Sequence, residues 1–262
     1  MNRCLSILWK TAAIGFVWEL LAIFSPAQSG VPHFWNAATS IDSFARFGNF
    51  SGNTLAAGVK VLIGESMRTL IRALLGMGLG AVGGYALGAA VLMLPGWQAV
   101  PVKAIASLRA VPPLALVFLL VFLSPRGEGA TVAYIAICVA LLVSGTLHDT
   151  RHYLPEPLLQ QVRHLGGKRW HQLKDVAAPA MWDQTRQTCA WACQLLLPLS
   201  FGAELINSQS GGLGALGYQA FLYANLPQLM ILAVIYIALG QFITPFVSHL
   251  ITPHPIPTHS TS

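Results

Sequence analysis

The sequence predicts an all-α, polytopic membrane protein with about six transmembrane helices. The first observation is composition: of 262 residues, 55% are hydrophobic and only 9% are charged, whereas a soluble domain carries roughly 25% charged residues. The second is a series of apolar stretches long enough to cross a bilayer, separated by polar or Pro- and Gly-containing turns. The third is one long polar stretch, residues 148–181, between two of these spans. We therefore treat residues 1–262 as a single transmembrane domain that contains one structured loop.

The first apolar stretch follows Arg3 and Lys10 and extends to Phe24. We expect an uncleaved membrane helix with its N-terminus inside. Glu19 interrupts the apolar run, and no clear small-residue cleavage site precedes a soluble domain. Residues 25–64 are rich in Pro, Gly, Ser and Asn. They predict an external segment with one interfacial helix.

The second span, from about residue 67 to residue 94, carries a ladder of small residues. The glycines fall at every fourth position, at Gly76, Gly80, Gly84 and Gly88. This spacing gives one smooth helix face, against which another helix can pack closely in lipid. We expect the ladder to serve helix packing. Arg68 and Arg72 precede it, near the predicted outer end, where they can reach the interface or pair.

The third span, from about residue 100 to residue 123, contains Pro112 and Pro113. Two prolines inside a membrane helix free backbone carbonyls and bend it, which is tolerated where the helix faces protein or a water-filled path. Arg109 lies just before them. An Arg inside an apolar span is a candidate for a functional site, here one that attracts an anion. The alternative is that Arg109 lies near the cytoplasmic end and pairs with carbonyls or headgroups.

Three further spans complete the prediction, at about residues 130–147, 182–203 and 227–250. Glu204 follows the fifth span and precedes a glycine-rich turn, residues 210–214. We leave two roles open for Glu204: a conformational gate, or a solvated acid at the outer interface. With the N-terminus inside, most of the 15 Lys and Arg residues fall on the cytoplasmic side, as the positive-inside rule requires.

The polar loop, residues 148–181, has a helical pattern of apolar residues interrupted at Gly166 and Gly167. We expect two short helices joined at this glycine pair, because glycine ends a helix without a steric penalty from a Cβ atom. The loop is basic, so it belongs on the cytoplasmic face. Its structured character predicts a docking surface for a soluble partner.

The sequence contains no Walker-type phosphate-binding motif and no nucleophile elbow. We therefore expect neither an ATPase site nor an enzyme, and no cofactor. The four cysteines and the scattered histidines do not have the spacing of a metal site. The net charge of +6 falls largely in the predicted inner loops, so it does not indicate nucleic-acid binding.

Several of these segments resemble one family. The inner loop resembles the cytoplasmic coupling loop of permease subunits of bacterial ATP-binding-cassette (ABC) importers, although the family's Glu-Ala-Ala triplet is absent. The matching positions are Gln160, Gln161, Val162, Gly166, Val176 and Pro179. The stretch from Arg109 to Leu116 resembles the family's R-x-I-P-P-L-A-L signature. Trp18-Glu19-Leu20-Leu21, Ala203-Glu204 and the turn at 210–214 are similar to motifs of its nitrate, sulfonate and taurine branch.

The resemblance implies a permease subunit of the type I importer fold in the bacterial inner membrane. It implies an ABC ATPase subunit that receives the loop, a periplasmic or extracellular solute-binding protein, and a homodimer of permease subunits. The implied substrate is a small anion such as a sulfonate, taurine or nitrate. Two alternatives remain open. One is an ion-gradient-driven secondary transporter or channel; the other is a membrane scaffold protein.

Overall fold

The computed structural model describes residues 2–24, 32–48, 54–93, 99–123, 127–150 and 156–251. Nearly all of them are helical, and no β-strand occurs in these ranges. Short 3₁₀ turns cover Ser40–Phe47 and Ser208–Ser210, and a π-helical segment covers Gln172–Ala177. The α-helices are α1 (Asn2–Phe24), α2 (Phe34–Thr39), α3 (Leu55–Met93), α4 (Ala99–Arg109), α5 (Pro113–Leu123), α6 (Glu128–Thr150), α7 (Glu156–His164), α8 (Arg169–His171), α9 (Ala178–Ile206), α10 (Leu213–Leu222) and α11 (Leu226–Ile251).

Four helical stretches of the described chain are long and apolar enough to cross a membrane, compared with about six predicted. They are residues 55–91, 128–147, 172–206 and 226–245. The all-α, multi-pass architecture is therefore confirmed. The prolines predicted to bend the third span divide it into two helices of 11 residues each, α4 and α5. The break falls where Pro112 and Pro113 follow each other, since the residue before a proline is driven out of the helical region.

Helix α3 is longer than predicted. It begins at Leu55 and has 39 residues, so it takes in the last part of the segment predicted as external. At about 1.5 Å per residue it is about 58 Å long, well beyond a hydrocarbon core of about 30 Å. Part of the helix therefore extends beyond the hydrocarbon. The remaining part of the predicted external segment contains α2 and the 3₁₀ turn rather than one interfacial helix.

The glycine ladder of α3 lies directly against α6. A Cβ atom built on Gly76 would lie 2.6 Å from Ile135 Cβ, and one built on Gly80 would lie 2.6 Å from the Ala136 carbonyl oxygen. The same contact continues at Gly84, where the Ala140 carbonyl oxygen would lie 2.7 Å away. The two backbones therefore approach too closely for any side chain on α3 to stand between them.

Two apolar clusters lie at different levels of the bundle. The larger lies between α3, α6, α9 and α11 and includes the buried free cysteines Cys138, Cys189 and Cys193. The smaller contains Phe44, Val61, Leu62, Leu213, Leu216 and Leu232. Along α3, the polar residues Thr69 and Arg72 come between the two clusters. We call the end with the smaller cluster the outer end, following the predicted orientation.

Candidate functional site

The inner loop turns at a defined helix-capping motif. Helix α7 ends at His164, and Gly166 has φ +77°. The Gly166 amide donates to the Arg163 carbonyl at 2.9 Å, and the Gly167 amide donates to the Val162 carbonyl at 2.8 Å. This pair of hydrogen bonds around a left-handed residue is a Schellman motif. The predicted glycine elbow therefore exists, and Gly166 is the residue whose conformation requires glycine.

The second half of the loop differs from the prediction of a second short helix. From residue 169 onward, α8, the π-helical segment and α9 follow one another without a break to Ile206. Pro179 lies in the first turn of α9, directly after the π-helical segment, and it cannot donate a backbone hydrogen bond to that segment. Val176 is half-buried in the π-helical segment. The loop thus continues directly into a membrane span as one helical stretch.

The surface of the loop is polar and basic, with two large apolar side chains exposed on it. Gln160 and Gln161 are exposed on α7. Leu165 is 87% exposed and Trp170 is 60% exposed, on either side of the turn. Among the loop side chains whose exposure the structure describes, Arg163, Lys168 and Lys174 are exposed lysines and arginines. Exposed aromatic and arginine side chains are enriched in protein–protein interfaces; the docking role of this surface remains a prediction.

Arg109 ends α4 at the break before α5, and its side chain lies on α6. A Cβ atom built on Gly145 would lie 2.3 Å from Arg109 Nη1 and 2.6 Å from its Cζ. The guanidinium group therefore occupies the space left by the missing side chain of Gly145. Pro112 and Pro113 are exposed beside it. These three predicted residues flank the break between α4 and α5; their role in a pathway remains a prediction.

Glu204 is fully buried and lies at the centre of a polar network that we call the outer clasp: Glu65, Thr69, Arg72, Glu204 and residues 210–214. One carboxylate oxygen of Glu204 accepts from Thr69 Oγ1 at 2.8 Å and from the Gly214 amide at 3.0 Å. The other oxygen accepts from Arg72 Nη1 at 3.1 Å. A solvated acid was therefore a wrong alternative. Glu204 is held by three donors that compensate for its removal from water.

Arg72 connects the clasp to three parts of the chain. It is 2% exposed, and besides Glu204 it donates to Glu128 Oε1 at 3.1 Å, at the start of α6. It also donates to the carbonyl oxygens of Ser210 and Gly211. Pairing was one of the two outcomes expected for Arg72 from the sequence. Because of these contacts, α3, α6 and the turn after α9 meet at one guanidinium group.

The glycine-rich turn, residues 210–214, is seated on the clasp by its backbone. The Gly212 amide donates to Glu65 Oε2 at 2.5 Å, and the Leu213 amide donates to Thr69 Oγ1 at 2.9 Å. Gly211 and Gly212 have φ values of +73° and +100°. A Cβ atom on Gly212 would lie 2.3 Å from the Glu204 carboxyl carbon. Both the conformation and the space therefore require glycine at residue 212.

Sequence reasoning missed Glu65, Glu128 and Asn207 as parts of this region. Asn207 Nδ2 donates to the Gly127 carbonyl at 2.8 Å and so ties the end of α9 to the start of α6. The sequence did contain one pattern that could have linked Glu65 to the other clasp residues of α3. Glu65, Thr69 and Arg72 recur at spacings of four and three residues, which place them on one helix face. The described residues contain no group of three or more His, Cys, Asp or Glu that could hold a metal ion.

Comparison with known proteins identifies the class of fold. No protein-family profile and no curated protein sequence matches the chain. Among solved structures it is similar to the inward-facing methionine ABC transporter MetNI, with a TM-score of 0.58 and 18% identity, over 74% of this chain and 97% of that one. A second crystal form of MetNI gives the same TM-score. A further similar structure is an amino acid ABC transporter with histidines, with a TM-score of 0.59, 17% identity, and coverage of 73% and 93%. The chain therefore has the fold of ABC importer membrane subunits.

Proposed function

We propose that the chain is the transmembrane permease subunit of an ATP-driven ABC importer in the bacterial inner membrane. The observation that carries this proposal is the capped, basic inner loop that continues without a break into a membrane span, within a fold shared with ABC importer membrane subunits. A second copy of the chain completes the translocation path. An ABC ATPase subunit docks on the inner loop, and an external solute-binding protein delivers the substrate.

The loop acts as a lever in this proposal. ATP binding closes the ATPase subunits and moves α7, and the continuous helix from residue 169 to residue 206 carries that movement into the membrane. The bundle then changes between inward-open and outward-open states. ATP binding can drive this change only if the ATPase makes different contacts with the loop in the two states. Gln160 replaces the acidic residue of the family's triplet, so docking here relies on hydrogen bonds, positive charge and apolar contacts.

The substrate that we propose is a small organic or inorganic anion such as a sulfonate, taurine or nitrate. Arg109 supports this choice, since it carries a permanent positive charge at the break between α4 and α5. Helix α5 begins four residues later at Pro113, and the N-terminus of a helix adds partial positive charge. Arg109, Pro112 and Pro113 are the pathway residues in this proposal.

Replacing Arg109 with Gln is expected to raise the KM for anion uptake by about ten- to hundredfold. A hydrogen bond to a charged group contributes about 1.5–3 kcal/mol, and glutamine keeps much of the side-chain length while losing the charge. Uptake of labelled taurine, sulfonate and nitrate by cells measures the effect. The matched control is Lys103→Gln, an exposed basic residue on the same helix. Equal KM values for the two variants would remove Arg109 from the pathway.

Replacing Gly166 with Val is expected to reduce transport at least tenfold while leaving the protein in the membrane. A β-branched residue in the left-handed region costs roughly 1–2 kcal/mol or more, so the turn changes shape and α7 reorients. No atom lies within 4 Å of a Cβ built on Gly166, so the effect is conformational and not a steric clash. Gly166→Asn is the control, because asparagine tolerates this conformation. Transport by the Val variant at the level of the Asn variant would refute the role of the turn.

One specific observation favours the alternative of a gradient-driven secondary transporter, namely the helix break between α4 and α5. Uptake assays separate the two functions. We expect uptake in cells that express the chain with its partners to stop when ATP is depleted by arsenate and to persist when a protonophore collapses the proton gradient. The reverse result would establish the alternative. Uptake that is unaffected by deletion of the chain would instead indicate a scaffold.

A further inference from the structure

We propose that the outer clasp and the glycine ladder hold α3, α6 and the α9–α10 corner as one rigid body throughout the transport cycle, and that the α4–α5 segment is the part that moves against it. This inference rests on the proposed transport function. It gives Glu204 the role of a permanent bracket and not of a gate that opens and closes.

The burial of the ion pair is the first argument. Arg72 Nη1 and Glu204 Oε1 are 3.1 Å apart, and the two side chains are 3% and 0% exposed. Apolar clusters lie on both sides of the pair along α3. Opening the pair within this surrounding would leave one or both charges without a partner, and an unpaired buried charge is strongly destabilising. We therefore expect the Arg72–Glu204 ion pair to stay intact throughout the transport cycle.

The fit of the turn on the carboxylate is the second argument. The Gly214 position leaves only 2.7 Å between a built Cβ atom and both Glu204 Cβ and the Phe201 carbonyl oxygen. The amides of three successive residues, 212 to 214, each donate to a side chain of the clasp. Sliding the turn by even one residue would break all three hydrogen bonds at once. The α9–α10 corner is therefore fixed to α3.

The third argument is the length of the contact between α3 and α6. The ladder extends from Gly76 to Gly88, where a built Cβ atom would lie 3.2 Å from Leu147 Cβ. It therefore continues from near the clasp towards the inner end of both helices. Closely packed interfaces have discrete arrangements and do not deform continuously. A movement that kept the clasp closed could not separate the two helices along this length.

The α4–α5 segment contrasts with this body. Most of the described side chains of α4 and α5 are exposed, and Ile105 and Val117 are their buried members. The chain between the two helices, residues 110–112, has no helical structure. A hinge is formed by a few residues at element ends that absorb the change in backbone angles. Residues 110–112 meet this description, next to Arg109.

A disulfide between α3 and α6 tests the inference. Gly88→Cys and Leu147→Cys place two Cβ atoms 3.2 Å apart, so a separation of a few tenths of an ångström brings them to the roughly 3.5–4.5 Å of a disulfide; the native cysteines of this variant are replaced with Ala. We expect uptake and ATPase activity after oxidation to stay within twofold of the reduced protein. A loss of tenfold or more that a reductant restores would show that α3 and α6 must separate, which overturns the rigid body. The single-cysteine variants are the controls for oxidation damage.

Hydrogen exchange provides a readout that does not depend on transport. The amides of residues 212–214 should exchange at rates within twofold of each other in the resting complex and in the complex trapped with ATP and vanadate, whereas exchange at residues 110–111 should change. A tenfold faster exchange of residues 212–214 in the trapped complex would make Glu204 a gate after all. If no ATPase partner is found, the proposed function fails. Protection of these amides in the purified chain would then still show whether the clasp is closed.

Discussion

Replacing Glu204 with Ala is expected to destabilise the protein by about 3–5 kcal/mol, the cost of leaving a buried partner charge uncompensated. Arg72 would keep Glu128 and two carbonyl oxygens, but Glu128 is 66% exposed and compensates little. The amide of Gly214 and the hydroxyl of Thr69 would also lose their acceptor. Thermal unfolding of the purified protein in detergent measures the loss, together with the fraction that stays monodisperse.

Two control variants separate the buried pair from ordinary charge effects. Arg68→Ala removes a half-exposed charge one turn away on α3, and an exposed pair contributes only about 0–1 kcal/mol. Replacing both Arg72 and Glu204 with Met removes the pair together. The double variant should be less destabilised than Glu204→Ala, because no charge is left alone. If Glu204→Ala melts at the temperature of Arg68→Ala, the clasp contributes no more than a surface contact.

Replacing Gly84 with Leu is expected to disrupt the contact between α3 and α6. The Cβ atom alone would lie 2.7 Å from both the Ala140 carbonyl oxygen and Val143 Cβ, and 3.0 Å from Ala140 Cα. Because two of these atoms belong to the backbone of α6, the helix itself has to move. Overpacking of a tight core typically costs 1–3 kcal/mol and occasionally more. We expect a lower melting temperature and a reduced yield of folded protein.

The adjacent glycine provides a matched control. Gly83 has no atom within 4 Å of a built Cβ and faces outward on the same turn of α3. Gly83→Leu should not destabilise the protein, because the added side chain meets no neighbour and leucine favours a helix more than glycine does. Equal losses for the two variants would mean that a general effect of adding leucine to α3, and not the contact with α6, is responsible.

Local sequence patterns predicted the parts of the fold that depend on neighbouring residues. The four-residue glycine spacing identified the packing face of α3, and the glycine pair located the turn after α7. The spacing does not indicate which helix packs against that face, so the contact with α6 was not predictable. The continuity from residue 169 into α9 was also missed, since Pro179 suggests a helix start and the π-helical segment has no simple pattern.

Local sequence patterns could not predict the contacts of the outer clasp. Arg72 and Glu204 are 132 residues apart, and each alone is compatible with an exposed residue near an interface. Only the fold places them together, because the end of α9 and the middle of α3 meet at the same level. The early start of α3 was missed for a related reason. Residues 55–64 mix small and apolar residues, and their helical character depends on packing against Phe44 and Leu213.

The central claim is that the chain is the permease subunit of an ABC importer, and affinity purification from host membranes in mild detergent tests it most directly. Mass spectrometry identifies what remains bound to the chain and to the Gly166→Asn and Gly166→Val variants. We expect an ABC ATPase subunit with the unmodified chain and with Gly166→Asn, and its loss with Gly166→Val. Recovery of the unmodified chain alone, in several detergents that keep it folded, would contradict the claim.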